Sequence, residues 1–142
     1  MIIIGITGSI GMGKSTIANI LKQFKIPIFD SDKEVKDILE NNYFVKKKIN
    51  ELWPDVISNN LNKKKINKNL LSEKIFSNNK NRKILEKIIH PLVKKRRCNF
   101  IKVKYKSFII ALDVPLLYET GTDKICDEIF LADTSEIQQK ER

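Results

Sequence analysis

The chain has 142 residues, 42% of them hydrophobic and 31% charged, with a formal net charge of +10. That balance describes a globular core with room for one small excursion, and it excludes a disordered or fibrous chain. Two cysteines are too few for a disulfide framework or a zinc site, and no apolar run is long enough to span a bilayer.

A basic excess favours an anionic partner. Lysine, asparagine and isoleucine are spread over the whole chain, however, as an AT-rich coding bias would leave them. The runs at 46–48, 63–65 and 94–97 read as solvated faces, and no stacking aromatics interleave them, so nucleic acid is not expected as a partner. Cys98 and Cys126 read as reduced thiols. With MIII too short for a signal peptide, the expected location is the cytoplasm.

In chain order, residues 1–7 form a continuous β-branched run that predicts a buried parallel strand. From Lys14 to Phe24 the apolar residues Ile17, Ile20, Leu21 and Phe24 recur at helical spacing. IPIFD at 26–30 predicts a second short strand. Between 31 and 106 only helical patterns are legible (KEVKDILE, VKKKINELW, LLSEKIF and RKILEKIIHPLVKKRR), separated by asparagine-rich breaks. FIIALDV at 108–114 and EIFLAD at 128–133 predict two further buried strands, and SEIQQKER a helix capped by Ser135. The expected fold is α/β: a small parallel sheet flanked by helices, with an inserted helical domain. Residues 1–30 and 107–142 would form the nucleotide-binding core, and residues 31–106 the excursion.

Gly8-Ser9-Ile10-Gly11-Met12-Gly13-Lys14-Ser15 matches the phosphate-loop pattern at every position, between a strand and a helix. Glycines let successive N–H groups turn inward, and the positive end of the helix dipole adds to them. Gly11, Met12, Gly13, Lys14, Ser15 and Thr16 are therefore the expected ATP contacts. Lys14 would reach the β- and γ-phosphates, and the Ser15 hydroxyl would ligate Mg²⁺. A guanine-reading N-K-x-D tetrapeptide is absent from the sequence, which argues against a GTPase.

Phosphoryl transfer to a small molecule also needs a carboxylate to accept the acceptor's proton. Asp30 and Asp32 follow the second strand, where α/β sheets bind ligands. Ser31 or Asp32 would serve equally as a helix cap. Asp113 ends the third strand after FIIAL, where it can hold Mg²⁺ through water or orient Ser15. His90, the only histidine, precedes a proline; on chemistry alone a structural hydrogen bond competes with a substrate contact.

GITGSIGMGKST, IFDSDK, LEKIIHPLV and ALDVPLLYE, in this order and spacing, resemble the dephospho-CoA kinase family over nearly the whole chain. The resemblance implies transfer of the ATP γ-phosphoryl group to the ribose 3′-hydroxyl of dephospho-CoA, the last step of coenzyme A synthesis. It implies Asp32 as the base, Asp30 supporting it or the metal shell, and 31–106 as the CoA-binding domain. His90, Pro115 and Leu116 would lie near the acceptor, and a basic helical surface would attract its pyrophosphate. Another small-molecule P-loop kinase, of nucleoside or nucleotide type, is the alternative, as is an ATP-binding remnant with weakened catalysis.

Two departures from the family pattern matter. Family members run several dozen residues further, so Gln139 and Arg142 would open a lid whose remainder, with the last strand, lies beyond this sequence. EIFLAD is then expected to form an exposed apolar sheet edge. At Ile66-Asn67-Lys68 the family usually carries an Asp-Arg pair; lysine keeps the charge without the bidentate fork, which would weaken acceptor binding.

Overall fold

A computed structural model describes residues 1–8, 13–60 and 63–133 of the chain. β1 (Ile2–Thr7) buries Ile4, Gly5, Ile6 and Thr7, as a strand covered on both faces must. α1 (Lys14–Gln23) buries Ala18 and Leu21. The chain then turns at Lys25, which adopts a left-handed φ of 57°, into β2 (Ile28–Asp30). β5 (Ile109–Asp113) and β6 (Glu128–Leu131) complete a four-stranded sheet of order β2-β5-β1-β6, parallel at every pairing.

Ile4, Ile6, Leu21 and Ala111 form a buried cluster against which Ile17, Ile26, Ile28 and Ile109 pack. Each large aliphatic buried there contributes about 1.5–3 kcal/mol before conformational entropy is subtracted. β6 is an edge strand, and its Phe130 and Leu131 are exposed. The helix expected at SEIQQKER, with Ser135, Gln139 and Arg142, lies outside the described residues.

The chain divides into two units, Lys33–Arg96 and the remainder, Met1–Asp32 with the chain from Arg97 onward. The Lys33–Arg96 unit takes in most of α2 (Ser31–Asn41), then α3 (Tyr43–Leu52), α4 (Lys68–Phe76) and the larger part of α5 (Asn79–Val103). Val45, Ile49, Trp53, Val56 and Leu71 are buried in it. Asparagine starts two of these helices: Asn42 accepts from the Val45 amide at 3.0 Å, and Asn67 from the amides of Asn69 and Leu70. Arg96 ties α5 to α2 by donating to Glu34 at 2.8 Å and Asp37 at 2.6 Å.

The expectation of helices alone over 31–106 is wrong in one place. β3 (Ile57–Asn60) and β4 (Lys63–Ile66) pair as an antiparallel hairpin. Its apolar residues are Ile57 and Ile66, which face each other across the pair, so neither strand carries the alternation that would announce it. Polar residues fill the rest, and the stretch reads as a helix break.

Candidate active site

The site follows from the strand order. β1 leads through α1 to β2 on one side of the sheet, whereas the chain after β5 passes to β6 on the other. β1 and β5 are neighbours whose connections diverge, and ligands of open α/β sheets bind at the carboxyl ends of such a pair. Gly8, Gly13 and Lys14 follow β1 here, Asp113 ends β5, Asp30 ends β2, and Asp32 stands in the first turn of α2.

Glycine is required at two of these positions. Gly13 opens α1 in the left-handed region, at φ 88° and ψ 11°. At Gly8 the φ is 153°, and a Cβ would sit 2.8 Å from the carbonyl oxygen of Ala132, a backbone atom that cannot swing away. Ala132 is held in place because its amide donates to the Thr7 carbonyl at 2.9 Å. Gly11 and Met12 lie outside the described residues. Among the described residues no side chain caps α1 and no acid stands in its first turn. Ser15 and Thr16 are exposed on that turn.

Lys14 gathers the acids. Its Nζ donates to Asp113 Oδ1 at 2.6 Å and lies 3.9 Å from Asp32 Oδ2. The side chains differ sharply in access to solvent: Lys14 is 18% exposed, Asp113 10% and Asp32 72%. Burial pushes the Asp113 carboxyl above the usual carboxylate range. The hydrogen bond and charge of Lys14 pull it back only in part, and the charges of Asp30 and Asp32 push the same way as burial. Asp30 and Asp113 are direct register partners on adjacent strands, which brings the charge of Asp30 to bear on Asp113. In this structure the Lys14 ammonium occupies one oxygen of Asp113, the residue expected to hold a metal or orient Ser15.

The turn after β5 is fixed to β1. The Val114 amide donates to the Ile6 carbonyl at 3.0 Å, and the Thr7 hydroxyl donates to the Pro115 carbonyl at 3.1 Å. Leu117 is fully buried beside Gly5, whereas Leu116 is exposed. Sequence reasoning missed Thr7; a hydroxyl residue closing an otherwise apolar strand was the available signal. It also misread Arg97, taken as part of a solvated basic run. Arg97 is 8% exposed and donates to the Thr122 hydroxyl at 2.7 Å, which in turn meets Thr120 at 2.8 Å.

His90 stands apart from this cluster in the sequence and falls in the Lys33–Arg96 unit. It lies in the interior of α5 rather than at a helix end, next to Pro91, and is exposed. The Asn67-Lys68 departure has a local use: Asn67 caps α4, and Lys68 pairs with Glu40 at 2.6 Å. Among the described residues no helix is long and apolar enough to cross a membrane.

Comparison with known proteins agrees with this geometry. Residues 2–142 match the family model described as dephospho-CoA kinase. A dephospho-CoA kinase of Rhodopseudomonas palustris is 35% identical over 144 residues, covering 100% of this chain and 69% of the relative. One from Bartonella henselae is 37% identical, covering 100% and 71%. Among solved structures, TT1252 from Thermus thermophilus superposes with a TM-score of 0.80 at 28% identity, over 99% of this chain and 69% of that one. A dephospho-CoA kinase from Campylobacter jejuni shares the fold, with a TM-score of 0.66 at 19% identity over 98% and 92%. The family match runs through the phosphate loop, the strand-end acids and the helical unit alike, and the chain belongs to the dephospho-CoA kinase family, whose enzymes phosphorylate dephospho-CoA with ATP in coenzyme A synthesis.

Proposed function

We propose that the cluster around Lys14 performs the transfer, with Asp32 as the base that accepts the proton of the ribose 3′-hydroxyl. The observation that carries this reading is the pairing of one lysine with two acids of unlike exposure. Asp113 is buried against Lys14, while Asp32, within 4 Å of the same ammonium, faces solvent where an acceptor can reach it. A carboxylate open to solvent can be reached by an acceptor hydroxyl, the geometry a general base needs.

The α1 amides of Lys14, Ser15 and Thr16, which precede the first complete helical hydrogen bonds, receive phosphate oxygens of ATP. Arrival of the triphosphate draws Lys14 from Asp113 to the β- and γ-phosphates. The donor set fits a magnesium ion. Among the described residues no group of three or more His, Cys, Asp and Glu forms a protein cage, but magnesium is ordinarily held by one or two carboxylates plus substrate phosphates. Asp113 and the Ser15 hydroxyl would hold it, with Asp30 beside them. When bound, it neutralises charge on the phosphoryl group in flight.

Residues 31–106 serve as the acceptor-holding part, with His90, Pro115 and Leu116 as acceptor contacts. Pro115 is suited to such a task because its carbonyl is fixed by Thr7. The two free cysteines, Cys98 and Cys126, fit a reducing cytoplasm.

A coupled ADP-release assay with and without dephospho-CoA tests the assignment. ADP should appear only when the acceptor is present, and Asp32→Asn should lower that rate by about 10²–10⁴-fold, the range expected for a general base. Release that ignores the acceptor points to a bare ATPase. Release driven by a nucleoside in place of dephospho-CoA points to another small-molecule kinase.

A further inference from the structure

Arg97 is a buried cation that makes no ion pair among the described residues, whereas its neighbour Arg96 pairs with Glu34 and Asp37. It is 8% exposed, and among the described residues its buried Nε has no hydrogen-bond partner. A charge placed so costs free energy that an apolar side chain of similar size would not. Its Nη1 donates to the Thr122 hydroxyl at 2.7 Å.

The direction of the bonds beyond Thr122 follows from counting hydrogens. A hydroxyl has one. The Leu116 carbonyl can only accept, and the Thr120 hydroxyl reaches it at 2.8 Å, with the Leu117 carbonyl farther off at 3.3 Å. With its hydrogen committed there, Thr120 accepts at 2.8 Å from Thr122, whose oxygen in turn accepts from Arg97. The chain therefore runs one way, from the guanidinium through two hydroxyls to the Leu116 carbonyl. Each bond polarises the next, and a charged head strengthens the series. Thr122 is fully buried, so water does not compete for it. The backbone braces the same stretch: the Thr120 amide donates to the Leu116 carbonyl at 3.1 Å, and the Thr122 amide to the Leu117 carbonyl at 3.0 Å.

These bonds hold one end of a turn whose other end is already fixed. Thr7 holds the Pro115 carbonyl and Leu117 is buried beside Gly5, which leaves Leu116, 45% exposed, between the two anchors. We infer that Arg97 is a positioning residue for the acceptor. Through Thr122 and Thr120 it fixes the Leu116 peptide, and with it the surface that Pro115 and Leu116 present. The inference rests on the reading of Pro115 and Leu116 as acceptor contacts, and not on the roles given to Lys14 or Asp32.

The test measures dephospho-CoA and magnesium ATP in the parent, Thr122→Val, Thr122→Ser and Arg97→Met chains. Affinities come from calorimetric titration, and the KM of each substrate from the coupled ADP-release assay. Thr122→Val breaks the relay at constant charge and nearly constant size. It should weaken dephospho-CoA binding and raise its KM about tenfold, while ATP affinity and kcat stay within about twofold. Thr122→Ser keeps the hydroxyl and should return the acceptor values to within about twofold of the parent. Arg97→Met should weaken acceptor binding as much as Thr122→Val yet melt no lower than the parent, because it removes an unpaired buried charge. A merely structural arginine would instead lose stability and affinity for both ligands together. Should Thr122→Val fail to fold, Thr120→Val breaks the same series at an exposed position. Equal weakening of ATP and dephospho-CoA, or unchanged dephospho-CoA affinity once the relay is broken, would overturn the inference and leave the acceptor reading standing. A parent chain that binds no dephospho-CoA would overturn the reading of Pro115 and Leu116, and the inference with it.

Discussion

Asp113 at the end of β5 and Asp37 on α2 are both carboxylates bonded to a basic side chain, yet their surroundings shift them in opposite directions. Burial holds Asp113 above the usual carboxylate range despite Lys14 at 2.6 Å. Hydrogen bonds from Arg96 and then Asn41 hold Asp37 below that range, and Glu40 and Asp55 are lowered likewise, first by bonds from Lys68 and Lys74. The ion pairs of the Lys33–Arg96 unit stand largely in solvent, where such pairs contribute little. In the sheet unit the carboxylate of Asp113 stands in a place that disfavours its charge. Perturbed groups of that kind cluster where chemistry occurs, and here they sit beside the phosphate loop.

The largest stability effect should come from the sheet unit's backbone. Gly8→Ala places a Cβ against the Ala132 carbonyl at a positive φ, and it should lower stability by about 1–3 kcal/mol in denaturant unfolding. A change within a few tenths of a kcal/mol would mean that the approach of β1 to Ala132 relaxes freely.

Asp113→Asn sharpens the contrast through pH. A group whose folded pKa is raised adds stability while protonated and loses it as pH rises through that pKa. At neutral pH the ionised Asp113 is therefore a net cost, so the asparagine variant should melt higher than the parent. The gain should shrink as pH falls through the raised pKa of Asp113, where the parent takes up its proton. A melting difference independent of pH would place the burial of Asp113 in error. Turnover should fall in the same variant, since the carboxylate is lost from the site.

The smallest effect is expected at Lys68→Ala, which removes the pair with Glu40 on the exposed surface and should cost less than about 1 kcal/mol. If it costs as much as Gly8→Ala, the helical unit depends on its charges more than their exposure allows.

Much of the sheet was legible because its two central strands, β1 and β5, are buried on both faces. IIIGIT and IIALD are near-continuous apolar runs, and parallel strands leave few other readings for such runs. The phosphate loop was legible because its glycines are needed for close approach, as Gly8 against Ala132 illustrates. The hairpin at 57–66 was not, because strands such as ISNN and KKKI carry no periodic apolar face. Nor was the Lys14–Asp113 pair, whose partners are 99 residues apart in sequence and are brought together by the register of β1 and β5, Ile6 opposite Asp113. Arg97 shows the limit of reading charge runs as surface. Its neighbours Lys94 and Lys95 are exposed, while it turns inward to Thr122.

Calorimetric titration of magnesium ATP into the parent, Lys14→Ala and Asp32→Asn chains tests the division of labour at the site most directly. The parent and Asp32→Asn should bind with affinities within a few-fold of each other, and Lys14→Ala should bind far more weakly. Equal loss of affinity in the two variants, or undiminished binding to Lys14→Ala, would contradict it.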